Sequence, residues 1–126
     1  MIGRTLVLTL ALTVGGLVHA QCAATDPEAH KATDEIHQAQ LLDMRQTEVV
    51  VDAWLPQIRS HIAQSAPEKR WYRLALTVVY ELDRYGRHEE AREVLELLAK
   101  NESRVGARIR KVALKSLAER DRQPGR

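Results

Sequence analysis

Residues 65–100 read SAPEKRWYRLALTVVYELDRYGRHEEAREVLELLAK, and their spacing decides the fold class. If each residue turns the chain by about 100°, Trp71, Leu74, Ala75, Val78, Val79, Leu82 and Tyr85 fall within one arc of about 160°. That pattern predicts an amphipathic helix with the arc buried. Ser65-Ala66-Pro67-Glu68 opens it: the serine hydroxyl can accept from the glutamate N–H, and a proline in the first turn gives up no needed donor. Gly86 supplies the conformation that ends a helix, and His88-Glu89-Glu90 starts another with carboxylates near its positive end. In that helix Ala91, Val94, Leu95 and Leu98 share a face. A link so short requires the two helices to pack antiparallel.

The same grammar recurs upstream. Thr25-Asp26-Pro27-Glu28 repeats the capping pattern, with Thr25 as the acceptor, and starts a helix over about 28–46 with a narrow stripe of Ala29, Ala32, Ile36 and Ala39. Val51, Trp54, Leu55, Ile58 and Ile62 mark a further helix over about 48–64, in which Pro56 either kinks the chain or lies in the first turns. The two capping sequences stand 40 residues apart, and that shift sets Pro27 on Pro67, Glu28 on Glu68, Leu42 on Leu82, Asp43 on Asp83 and Leu55 on Leu95. It also sets Val51, Trp54 and Ile58 against Ala91, Val94 and Leu98. The spacing predicts two helical hairpins, stacked as repeat units.

The series Ala75, Val78, Val79, Leu82, Gly86, Ala91, Leu95, Leu98 resembles a tetratricopeptide repeat, over about residues 70–99. Ala91 is the best match, being small where the two helices of such a unit approach closely. Ala75 and Val79 replace the aromatic and glycine usual in the first helix, and the spacing of 40 exceeds the roughly 34 of the family. The resemblance implies a scaffold offering a groove to a peptide or protein, and it carries over no catalytic residue.

A last helix is expected over about Ser103–Arg120, capped by Asn101 or Ser103, with Val105, Ile109, Val112, Ala113 and Leu117 facing one way. Arg104, Arg108, Lys111, Lys115 and Arg122 follow the opposite stripe. They are partner-binding candidates: a strip for an anionic surface such as headgroups, cell-wall polymer or an acidic partner. The same stripe also reads as the solvated outer face of a capping helix, or as a surface lying against the acidic 26–66 region. Tyr80 falls on the polar side of its helix with Arg73, Thr77 and Arg84, either as a recognition spot or packed against a neighbouring element. Trp54, Trp71 and Tyr72 are expected in the core, and His61 at its boundary.

Little in the chain suggests catalysis. Ser60, Ser65, Ser103 and Ser116 fall on helix surfaces or in caps, no glycine-rich phosphate loop occurs, and Glu89 and Glu90 sit in a solvent-facing helix start. His30, Asp34 and His37 stand at i, i+4 and i+7, a chemically reasonable set for zinc, copper or nickel, although three ligands on one straight helix cannot surround an ion. No cofactor is expected.

At the N-terminus, Arg4 followed by an uncharged apolar run from Leu6 to Val18 and by Val18-His19-Ala20 reads as a secretory signal cut between Ala20 and Gln21. The run is short for a hydrocarbon layer that needs about 20 helical residues, so no transmembrane span is expected in the mature chain. Cys22 lacks the small preceding residue of a lipid-anchoring signal and has no second cysteine in the chain, leaving it free or bridged to another molecule. Residues 21–126 then form one all-helical domain with loose ends at about 21–26 and 121–126. Net charge is only +2, but residues 26–66 carry 3 basic and 7 acidic groups while 101–126 carry 8 and 3. The expectation is an all-α protein of about five helices, two stacked hairpins and a basic capping helix, periplasmic or secreted. It would bind a protein or peptide of the cell envelope without catalysis. A metal-responsive protein and a module for anionic envelope surfaces are the alternatives, and export disfavours nucleic acid as a partner.

Overall fold

The computed structural model describes residues 26–123. The export signal, the Ala20–Gln21 cut, Cys22 and Thr25 lie outside them. Five helices follow in order: α1 (Pro27–Gln40), α2 (Met44–Ala63), α3 (Lys69–Arg84), α4 (His88–Lys100) and α5 (Ala107–Asp121). Among the described residues no helix is long and apolar enough to cross a membrane.

The helix starts differ from expectation wherever a stronger acceptor or a tighter turn competes. Asp26 caps α1, its carboxylate accepting from the Glu28 N–H at 2.9 Å, because Pro27 occupies the first helical position and so places the cap directly before it. Asp26 also accepts from the Trp71 indole at 2.8 Å, and its N–H reaches Glu68 at 3.2 Å, so this end of the chain is tied down. Asp43 starts α2 earlier than the apolar stripe suggests by accepting from the Gln46 N–H at 2.9 Å. The first turn of α2 is buried through Thr47, whose hydroxyl donates to the Ala39 and Asp43 carbonyls. α1 consequently stops at Gln40, leaving Leu41 and Leu42 exposed in the link.

Ser65 does not cap α3. Its φ of 54° is the left-handed turn that closes α2, with its own N–H on Ile62 and the Ala66 N–H on His61. Pro67 bars Ala66 from helical geometry, so α3 begins after it with Glu68 as cap. Pro56 lies inside α2, well beyond its first turns. α5 begins at Ala107, later than expected. Asn101 accepts from the Ser103 N–H at 2.8 Å and Ser103 from the Val105 N–H at 3.2 Å, and these two side-chain turns consume the donors a helix start would need.

α3 is the hub, touching the other four helices. It buries the expected arc except for Tyr85, which follows its last turn and is half-buried, and it buries Tyr72 and Glu81 as well. A helix covered on several sides needs a wider buried face than a hairpin alone would give it. α4 buries Ala91, Val94, Leu95 and Leu98. α5 buries only Ala113, with Ile109 and Leu117 half-covered, and Val112, at the edge of the expected inward stripe, is 48% exposed.

Each helix touches the next and the next but one, and no more distant pair meets. A closed four-helix bundle would bring α1 against α4; here they do not touch, so the hairpins stack openly, with α1, α3 and α5 in one layer and α2 and α4 in the other. Lateral contacts join positions about one period apart: His30 with Arg70 at a separation of 40, Gln40 with Glu81 at 41, Glu48 with Arg87 at 39 and Ile62 with Asn101 at 39. The correspondence is good for the second helices, where Val51, Trp54, Leu55 and Ile58 and their partners Ala91, Val94, Leu95 and Leu98 are all buried. It fails at the end of the first helices, where Leu42 is exposed and Leu82 buried.

Candidate functional site

Polar groups inside the stack are satisfied, which separates structural charges from available ones. Glu81, 1% exposed, accepts from Gln40 Nε2 at 3.0 Å, Tyr85 Oη at 3.1 Å and Arg84 at 3.3 Å. Desolvation, then the Glu81 hydrogen bond, pushes the Tyr85 phenol far above its usual range. Arg87 joins the hairpins through Glu48 at 3.0 Å and Asp52 at 2.8 Å. Asp83 holds Arg120 and, at 2.9 Å, His88. Burial works against its charge, but the Arg120 and then the His88 hydrogen bonds outweigh burial and keep its carboxyl below the ordinary range.

The layer formed by α1, α3 and α5 presents a different surface. Along α3, Lys69, Arg73, Thr77, Tyr80 and Arg84 follow one outward ridge at helical steps. Tyr80 is 63% exposed, so the expectation that it packs against a neighbour fails; instead the Arg84 guanidinium lies 5.8 Å from its ring centroid. Two clefts flank the ridge. One, about 530 Å³, lies between α3 and the start of α5, lined by Lys69, Arg73, Arg104, Val105, Arg108 and Ile109 with Ala107. The other, about 290 Å³, lies between α1 and α3, lined by Thr33, His37, Arg70, Arg73, Leu74 and Thr77. Arg73 belongs to both.

Tyr72, buried beneath Gly106, fixes the course of the chain into α5. Its hydroxyl donates to the Ala66 carbonyl at 2.7 Å, and its ring lies so close to Gly106 that an added Cβ would stand 2.8 Å from Cε1. Glycine at this place lets the chain pass over the ring and carry Arg104 and Arg108 to the rim. Asn101 braces the approach by donating to the Ile62 carbonyl at 2.7 Å, while Arg110 donates to the Asn101 carbonyl at 2.9 Å.

The expected basic strip is therefore divided. Arg104, Arg108, Lys111 and Lys115 are all exposed, but only Arg104 and Arg108 line the cleft, where Lys69 and Arg73 from α3 join them. Sequence reasoning places Arg73 beside Tyr80 on the polar side of its helix without joining it to the α5 strip, and misses Lys69; the 40-residue shift laid onto α5, which sets Ile109 on Lys69, carries the signal for both. Nor does the basic end lie against the acidic 26–66 region, since α5 touches α3 and α4 and neither α1 nor α2.

The remaining candidates are dispersed. His30 pairs with Arg70, His37 lines the smaller cleft and Asp34 is exposed. Among the described residues no three His, Cys, Asp or Glu side chains converge as ligands would. His61 sits at the core boundary as expected, stacked on Trp71 with centroids 4.0 Å apart. Ser60 bonds to Gln64, Ser65 to Asn101, Ser103 to the Val105 N–H and Ser116 to Arg120. A third cleft, about 330 Å³, runs along α2 past Asp52, Leu55, Pro56 and Arg59. Its charges are already engaged, Asp52 by Arg87 and Arg59 by Glu93. Comparison with protein-family models, curated proteins and solved structures finds no match for this chain.

Proposed function

We propose that this protein is an exported, non-catalytic helical scaffold that binds a protein or peptide of the cell envelope on its α1–α3–α5 face. One observation carries the reading: the α3 ridge stands open between two clefts, with Tyr80 along it and with Lys69 and Arg73 making no ion pair among the described residues, while on the α2–α4 side Arg87 is paired with Asp52 and Arg59 with Glu93. An exposed aromatic beside arginines on a rigid scaffold is the composition of a contact surface. The resemblance of residues 70–99 to a tetratricopeptide repeat implies the same role. The test is a photo-crosslinking residue placed at Tyr80 in the full-length gene and expressed in cells, with Glu96, exposed on α4, as the control position. A discrete envelope adduct from position 80 and none from position 96 supports the reading. No adduct from position 80, or the same adduct from both, removes it. N-terminal sequencing of the exported form, expected to start at Gln21, checks the address.

A second reading, contact with an anionic surface, is favoured by Val112 and Leu114, 48% and 51% exposed on α5 beside Lys111 and Lys115. Sedimentation with anionic liposomes, lost when Lys111 and Lys115 are neutralised, would support it.

A further inference from the structure

The larger cleft gathers four cations and no carboxylate. Lys69 and Arg73 come from the first turns of α3; Arg104 and Arg108 flank the start of α5. None of the four side chains has an ion-pair partner among the described residues. Of the nearby acids, Glu68 holds the Asp26 and Arg70 N–H groups, Glu81 holds Gln40 and Asp83 holds Arg120, while Glu102, exposed two positions before Arg104, neither lines the cleft nor pairs with its cations among the described residues. Like charges sharing one concavity raise its potential and are relieved only by an anion. α5 adds to this field, because Ala107, Arg108 and Ile109 are its first turn, they line the cleft, and no side chain caps them.

The geometry points to an acidic peptide segment as the ligand, with at least two neighbouring Asp or Glu carboxylates seated among Lys69, Arg73, Arg104 and Arg108 and the chain continuing over Arg73 toward Thr77 and His37. Three of the four cations are arginines, whose planar forks take carboxylates two bonds at a time. The shape decides between a peptide and a compact free anion: Arg73 stands on the ridge between the two clefts and lines both, so a chain seated in one can cross it into the other, and Val105 and Ile109 give the larger cleft an apolar wall that a bare anion would not use. This assignment rests on the partner-binding reading of the α1–α3–α5 face and names the chemistry of the partner.

The test is fluorescence anisotropy of the full chain with a labelled hexapeptide of Asp and Glu, against the same peptide in Asn and Gln. The acidic peptide is expected to bind at least about tenfold more tightly, and R73Q together with R108Q to lower its affinity about tenfold or more, as loss of two charge-assisted contacts requires. K111Q with K115Q, outside the cleft, should change it less than about threefold. All four are surface side chains, so a melting curve matching the parent confirms that each variant folds. Equal binding of the two peptides, or equal loss from the two double variants, overturns the proposal. So does displacement of the peptide by inorganic phosphate at an affinity equal to the peptide's own, which would assign a free-anion site. Anionic vesicles that bind where the peptide does not would overturn it in favour of a lipid surface. Any of these results leaves the crosslink from position 80 standing, whereas loss of that crosslink removes the face itself.

Discussion

Asn101→Ala should destabilise the chain by unlatching the second hairpin from the first. Asn101 follows α4, is 5% exposed, and donates through Nδ2 to the carbonyl of Ile62 at 2.7 Å, a residue 39 positions earlier near the end of α2. Its Oδ1 accepts from the Ser103 N–H at 2.8 Å. Truncation takes the Asn101 donor from the Ile62 oxygen, which keeps the Ser65 N–H, and removes the half-exposed Ser103 bond, each worth about 0.5–1.5 kcal/mol. The total of about 1–3 kcal/mol corresponds to a fall of roughly 5–20 °C in Tm for a domain of this size. Urea and thermal unfolding of the full chain followed by circular dichroism measure it. Asn101→Asp separates the two bonds: it keeps the acceptor for Ser103 but sets a carboxylate against the Ile62 carbonyl, and should be no milder than alanine. An Asn101→Ala variant within about 0.5 kcal/mol of the parent would show that the hairpins are not latched here, and the account of how Arg104 is held at the cleft rim would go with it.

Other expectations follow from the same contacts. Gly106→Ala would drive a Cβ to 2.8 Å from the ring of Tyr72, which is 1% exposed and cannot swing away, so a loss of about 1–3 kcal/mol is expected by urea titration, and unchanged stability would refute the close approach. Gly86→Ala meets no atom within 4 Å, yet φ there is +80°, so strain alone should cost about 1 kcal/mol and Gly86→Asn less; equal costs would refute the conformational reading. The folded Asp83 carboxyl lies below the unfolded value of about 3.9, so the unfolded chain takes up its proton first. The stability Asp83 contributes is therefore complete above about pH 5 and lost as pH falls through the lower folded value. The stability gap between the parent and Asp83→Asn should narrow over that window, and a constant gap would argue against the ion pair. Tyr80→Ala, at a site 63% exposed, should leave stability within about 0.5 kcal/mol, and a larger loss would mean that the ring packs somewhere.

Periodicity made the helices legible, and competition for hydrogen bonds made their ends illegible. The α3 and α4 stripes were readable because Trp71 to Leu82 and Ala91 to Leu98 are buried by long-lived apolar spacing that nothing else imitates. Ser65 is ambiguous in the sequence because a hydroxyl three residues before a glutamate looks the same whether it caps the next helix or, at φ 54°, closes the last one. The start of α2 hid behind Thr47, a polar residue buried by two hydrogen bonds, which an apolar pattern cannot register. Tyr80 was placed correctly on the polar side of α3, yet its exposure depended on whether α1 and α5 reach that far around the helix, which only the stacking geometry decides. Half of the candidate site is readable as Arg104 and Arg108; Lys69 and Arg73 lie 31 or more positions upstream of them and reach the same cleft only because the hairpins stack side by side.

The stacking also explains how a chain of net charge +2 can carry a strongly signed surface. An open pile of hairpins sorts alternate helices into two layers, so Arg59 on α2 meets Glu93 on α4 and Arg120 on α5 meets Asp83 on α3, while Arg92–Asp121 and His88–Asp83 cross between the layers. On the α2–α4 layer four acids are engaged, Glu48, Asp52 and Glu90 by Arg87 and Glu93 by Arg59, while Glu89 and Glu96 stay exposed. On the other, the acids of α3 point inward or sideways, Glu81 into the core and Asp83 to Arg120, so the cations at the start of α3 and α5 are left without them. Near-neutral composition thus coexists with a locally uncompensated cleft, because balance over the sequence is not balance over a surface. A surface built only for solubility would intersperse the two signs, as the α2–α4 side does. Holding four cations together around Arg73 carries a repulsive cost that the fold itself does not require, and an acidic partner is what relieves it.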